Sequence, residues 1–265
     1  MTESGATAST MEEVLLETIS TTRYLRSGDR MPNWDLSGGM DKEEYIFLAV
    51  YAFYIILMYI LYWRDVMKPL KLLAVFVHEM GHAVAAWLTC GKVHSVTVLA
   101  DESGLAVYQP GIKVIIYPAG YVGGSLWGAM MITLSADRIG SIVAASLMCL
   151  AFCAALMWNP NKLVMKLSIG FLALTVVAMI VEIFLFSPFL EYFTLFYGVA
   201  FGYYAVKDTF DDCVWRTLED SDAKRCSQNL WPCCAPRLIG FQMLVLAVFF
   251  QILGLYCALV WLTSH

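Results

Sequence analysis

Residues 72–87 read Leu72-Leu73-Ala74-Val75-Phe76-Val77-His78-Glu79-Met80-Gly81-His82-Ala83-Val84-Ala85-Ala86-Trp87. The apolar flanks predict a buried helix, yet three ionisable side chains stand at its centre. Such groups are costly inside an apolar medium unless something binds or pairs with them, so an ionisable cluster in a membrane helix is a functional hypothesis by default.

The rest of the chain identifies that medium. Of 265 residues, 60% are apolar and 15% charged, with a mean hydropathy of +0.67. A globular domain is about a quarter charged. About 159 apolar residues, 60% of 265, exceed the needs of one compact core; they suit about six to seven spans of roughly 20 residues. The fold class expected is an all-α polytopic membrane protein, and a soluble globule is excluded. The net charge of −5 and the lack of a Lys/Arg run exclude nucleic acid as a partner.

Working outward from the motif, seven apolar stretches are predicted to cross the bilayer: 45–63, 70–89, 112–135, 139–158, 163–187, 189–207 and 238–262. Residues 1–44, rich in Ser, Thr and acidic side chains, read as a flexible polar tail without the basic start and apolar core of a signal peptide. Residues 45–262 then form a single multi-pass domain. Between the second and third stretches, Lys92 to Gln109 alternates around the turn Asp101-Glu102-Ser103-Gly104, which predicts a small β-hairpin at the membrane surface. The segment 207–237 is the longest polar loop after the tail and carries Asp208, Asp211 and Asp212. With seven crossings, 13 of the 17 Lys and Arg fall on the N-terminal side, so the N-terminus and the 207–237 loop are expected in the cytosol. Reduced cysteines are expected there.

The cluster itself has the pattern H-E-x-x-H. Residues four apart on a helix lie on one face, one turn above each other. Two imidazoles so placed suit one Zn2+ ion, and the Glu79 carboxylate can take a proton from a water on that metal during attack on a carbonyl. Two of only four histidines are spent here. A catalytic zinc wants a third protein ligand, and the candidates are Glu182, Glu191, Asp208, Asp211 and Asp212. The sixth stretch ends on the same side as the second, which favours Asp208, with Asp212 as the alternative since it shares a face if the helix continues. Glu182 and Glu191 fall on the opposite side. Gly120, Gly124 and Gly128 form a stripe at four-residue spacing that permits close helix packing near the site, with Gly81 of the motif helix as its expected counterpart.

These residues resemble the site-2-protease-like peptidases, membrane proteins with a zinc motif inside a helix. The resemblance rests on Phe76 to Ala83, on Ala119-Gly120-Tyr121-Val122-Gly123, and on Asp208, Asp211, Asp212, Arg216 and Ser221-Asp222-Ala223. It implies His78 and His82 as metal ligands, Glu79 as catalytic base and a downstream aspartate as third ligand. The Asp-Gly pair that better studied members use is absent, so Asp208 or Asp212 takes that place. The activity implied is hydrolysis of peptide bonds in or near the bilayer, with membrane proteins as substrates. Two other readings stand beside it: a scaffold derived from such a protease, for which an intact Glu79 has no purpose, and a membrane zinc amidase acting on lipid, which would draw histidines from several helices.

Overall fold

The computed structural model describes residues 34–36, 40, 42–109, 111–157, 161–185, 188–216 and 221–262. Most of the tail expected over 1–44 lies outside them. Helix α1 spans Lys42–Leu61 and, after a short 3₁₀ turn at Asp65–Met67, α2 spans Lys68–Leu88. Strands β1 (Val93–Val98) and β2 (Gly104–Tyr108) follow, then the single turn α3 (Lys113–Ile116) and the helices α4 (Ala119–Leu134), α5 (Arg138–Met157), α6 (Lys162–Leu185) and α7 (Phe189–Asp208). A π-helical stretch at Thr209–Trp215 prolongs α7; α8 (Asp222–Asn229) and α9 (Pro236–Leu262) complete the chain.

Local chemistry sets the boundaries. Proline, which has no N–H to leave unpaired, stands at the start of four helices: Pro69 in the first turn of α2, Pro118 and Pro188 as N-caps of α4 and α7, and Pro236 opening α9. Helix α2 stops where Cys90 adopts a left-handed φ of 62°. The Cys90 N–H then donates to Trp87 O (3.1 Å) and the Gly91 N–H to Ala86 O (2.7 Å), closing off carbonyls that the helix would otherwise leave open. The hairpin forms as expected, with β1 and β2 antiparallel. Its turn is held by the Asp101 carboxylate, which accepts from Ser103 N and Oγ at 3.1 and 2.6 Å.

Four helices are long and apolar enough to cross a membrane among the described residues: α1, α5, α6 and α9. The other three expected spans are helical but differ in kind. Helix α4 has 16 residues, short of the roughly 20 that a bilayer asks for. Helix α2 carries Lys68, Lys71 and Glu79. Helix α7 is the central element, with Tyr197, Phe201 and Tyr204 nearly fully buried by its neighbours, so its surroundings are mostly protein.

Helix ends gather at two opposite places. The start of α1, the α4–α5 turn, the start of α7 and the end of α9 share a cavity of about 250 Å³ lined by Glu43, Asp137, Tyr192 and Leu262. At the other end, the Tyr62 hydroxyl just past α1 donates to Asp208 at the end of α7 (3.2 Å), Tyr121 at the start of α4 donates to Asp212 (3.4 Å), and Asn161 before α6 donates to Val98 O of β1 (2.6 Å). Helices α1, α4, α5, α6, α7 and α9 therefore each run from one end to the other. Helix α2 does not. It begins beside Tyr62, its Lys71 reaches Glu102 of the hairpin turn (3.6 Å), and the chain enters α4 at the same end.

The glycine stripe of α4 divides its work. Gly81 of α2 packs against the Ala119 carbonyl and Gly120, whereas Gly124 lies against Ala205 and Gly128 against the backbone of Gly198 and Gly202, all on α7. A Cβ at Gly128 would stand 2.7 Å from Gly202 N and 2.9 Å from Gly198 O, contacts that backbone cannot relieve. Gly128→Ala is expected to lower stability by about 1–3 kcal/mol, the usual range for overpacking, in thermal or denaturant unfolding of the detergent-solubilised protein. Gly170→Ala, with nothing within 4 Å of the new atom, should cause no such loss.

Candidate metal centre

Helix α2 places His78 and His82 one turn apart with their Nε2 atoms 3.2 Å from each other. The third group comes from α8. Ser221 caps that helix, its hydroxyl accepting from Lys224 N, and Asp222 is the first helical residue. One face of α8 is buried through Asp222, Ala223, Cys226 and Ser227. Ala223 and Cys226 pack with Tyr121, Cys213, Ile239 and Met243, which ties α8 to the starts of α4 and α9 and to the π-helical stretch. So anchored, Asp222 sets Oδ2 3.3 Å from His78 Nε2 and 3.1 Å from His82 Nε2.

The proton placement around this triangle decides what it can hold. His82 Nδ1 is 2.7 Å from the Ile116 carbonyl oxygen, which only accepts, so Nδ1 carries the proton. In a neutral ring Nε2 then presents a lone pair to the triangle. Asp222 Oδ2 is buried with no hydrogen-bond partner. Three electron-rich atoms thus converge, and a proton on one of them serves one edge while a single cation serves all three. Burial opposes ionisation of Asp222, but with no metal bound the charge and hydrogen bonds of protonated imidazole outweigh it and hold its carboxyl well below the usual range.

The dimensions suit zinc. Tetrahedral coordination with bonds of about 2.0–2.2 Å separates nitrogen and oxygen donors by about 3.3–3.5 Å, close to the 3.1, 3.2 and 3.3 Å found here. His82 also donates its other ring nitrogen to a carbonyl, as metal-bound histidines do. Space is kept for an ion by Gly120. A Cβ there would lie 2.6 Å from His82 Nε2 and press equally on His78 Nε2.

Around the triangle opens a cavity of about 420 Å³, walled by α2, the hairpin, α4, the end of α7 and α8. Glu79 lines it, only 8% exposed, with its carboxylate packed on Gly104. A Cβ at Gly104 would meet Glu79 Oε1 at 2.6 Å, so the hairpin leaves room for that side chain and fixes its position.

Among the described residues, the group able to hold a metal is His78, His82 and Asp222. Asp208 and Asp212, the aspartates expected there, line the same cavity but lie outside that group, bonded to Tyr62 and Tyr121. Asp211 is taken by Lys207 and Arg216. Glu182 pairs with Arg138 at 3.0 Å, and Glu191 lines the cavity at the opposite end of the molecule. Asp222 had a local signal, Ser221 followed by an acidic first turn, which marks a helix start within the polar loop.

The profile of the Peptidase M50B-like family matches residues 51–254. No curated protein and no solved structure matches the chain. The matched span contains every residue of the triangle and Glu79.

Gly120→Ala and Asp222→Ala should each abolish stoichiometric zinc in the purified protein, while Asp208→Asn retains it. Elemental analysis alongside an unfolding curve reads both outcomes, and zinc retained by Asp222→Ala would overturn the assignment.

Proposed function

Because the chain belongs to the Peptidase M50B-like family, we propose that it is a zinc-dependent peptidase that hydrolyses peptide bonds of membrane proteins in or near the bilayer. The observation that carries this reading is the convergence of His78 Nε2, His82 Nε2 and Asp222 Oδ2 in the wall of a cavity that Glu79 also lines. Zinc bound there would polarise the scissile carbonyl and acidify a water molecule.

The protein's own groups supply the rest. Glu79, one residue from His78 and set against Gly104, accepts the proton of the attacking water and returns it to the departing amine. The Ile116 carbonyl keeps the His82 ring in one tautomer and orientation. The near-complete burial of His82 and Asp222 keeps competing water off their donor atoms. A helical substrate must first unwind locally, because its carbonyls are already hydrogen-bonded. Glu79→Gln is expected to keep both zinc and fold while lowering cleavage by about 10²–10⁴-fold, the range for loss of a general base; activity equal to wild type in a detergent or liposome cleavage assay would sink this mechanism.

The same reading includes an orientation. Seven crossings put the N-terminus in the cytosol; with α2 and the hairpin both kept at the end that holds the site, six end-to-end helices remain and the parity changes. Lys and Arg then divide anew: Arg23, Arg26, Arg30, Lys42 and Arg138 belong to the N-terminal end, and the other 12 of 17 to the end that holds the site. By the positive-inside rule the site faces the cytosol and both chain termini face away from it. A tag inserted between Arg216 and Ser221 should be reachable from the cytosol in permeabilised-membrane protease protection, and an N-terminal tag should not.

A further inference from the structure

The cavity beside the metal centre is strongly acidic. Seven carboxylates and three cationic side chains line it. Lys71 pairs with Glu102, and Arg216 joins Lys207 on Asp211. Arg225 comes within ion-pair distance of no carboxylate among the described residues. Asp208 and Asp212 are thus left without a close cation, each accepting only a tyrosine hydroxyl, from Tyr62 and Tyr121. Arg216 acts on Asp212 only at longer range.

A second observation points the same way. The Tyr204 hydroxyl is buried with no hydrogen-bond partner, and the residue is 2% exposed. Tyr204 lines both the main cavity and a narrow recess that Asp208, His78 and Gly120 share. An unpaired buried hydroxyl next to an uncompensated carboxylate is costly unless a ligand satisfies it. The Tyr62 ring already lies under two ammonium groups, with Lys71 Nζ at 4.2 Å and Lys207 Nζ at 5.0 Å, so this wall favours cations.

We propose that Asp208, Asp212 and the Tyr204 hydroxyl form a subsite for a Lys or Arg side chain of the peptide substrate. The idea rests on the peptidase reading for what occupies the cavity. Tyr121 gives the distance: its ring packs edge-on to His78 with centroids 4.4 Å apart, while its hydroxyl reaches Asp212. The subsite therefore begins one tyrosine length from the metal centre. At about 3.3 Å per extended residue, the basic side chain stands roughly one to three residues from the bond that is cut. A guanidinium or ammonium brings both donors and a positive charge to the carboxylates and to Tyr204 Oη; neutral donors lack the charge, and a carboxylate side chain is repelled.

The test uses the full chain carrying Glu79→Gln in detergent, so that binding is read without turnover. Fluorescent peptides differ only in Arg, norleucine or Glu at one position, scanned along the sequence. At one position the Arg peptide should bind about tenfold more tightly than norleucine, as expected for charge-assisted hydrogen bonds, and the Glu peptide more weakly than either. Adding Asp208→Asn and Asp212→Asn should remove the preference while zinc content and unfolding midpoint stay unchanged, since asparagine still accepts from the tyrosines. Equal binding of Arg and norleucine peptides, a preference that survives the double substitution, or loss of zinc from it would overturn the subsite. Cleavage of the same peptides by the unsubstituted protein tests the peptidase reading separately, because failure to cut leaves the binding preference standing.

Discussion

Three lone pairs brought within 3.3 Å of one another are the constraint on which the rest of this structure depends. In a site that excludes water they need a positive charge among them, and without a metal a proton on the imidazoles supplies it to Asp222. The surrounding fold holds them together. Ile116 fixes one imidazole, α8 is anchored through Ala223 and Cys226, and Gly81 and Gly120 allow α4 to lie directly on the motif helix. Each of these arrangements costs conformational freedom or close steric fit. A proton serves one edge of the triangle, whereas a single metal ion would serve all three atoms at once.

Packing without large side chains makes that closeness possible. Helices in lipid gain little from hydrophobic association and rely on van der Waals contact between near backbones. Along α4 the glycines serve two partners, with Gly120 turned to α2 and Gly124 and Gly128 turned to α7. Helix α4 is thereby wedged between the element that carries the histidines and the element that ends at Asp208. Polar contacts lock the wedge from behind: Gln251 of α9 donates to Ser125 O and Oγ, and Ser125 Oγ donates to Ala247 O. The cavity lies at the end of this wedge, walled also by α2 and the hairpin.

How much was legible in the sequence follows from how local each signal is. His78, Glu79 and His82 share one helical turn, so spacing alone places them together. The hairpin announces itself through Asp101 to Gly104, a turn whose bonds are made within three residues. The Asp222 contact spans 140 residues of chain, and its partner helix is eight residues long in a loop that composition marks only as polar. Reasoning from helix continuation past Lys207 led to Asp208 and Asp212, and the helix does continue, as a π-helical stretch. Its two aspartates reach the cavity but not the triangle, because Tyr62 and Tyr121 hold them on its other wall. The crossing count is less local, since apolar length gives a helix its tolerance for lipid and not the end at which it finishes, and α2 with the hairpin stays at the end that holds the site.

The three aspartates also show how one residue type acquires different roles from what it faces. Asp222 is buried yet kept ionised by the positive charge of the imidazoles beside it, the place a metal ion would take. Burial pushes the Asp212 carboxyl upward, against the opposing pull of Arg216 and the Tyr121 hydroxyl, so its charge is poorly compensated by the protein itself. Asp211, one residue before, is fully engaged by Lys207 and Arg216. A carboxylate satisfied within the protein has nothing left to offer a ligand. Among the described residues, Asp208 and Asp212 thus face the cavity across from the triangle, each with a tyrosine hydroxyl and no close Lys or Arg.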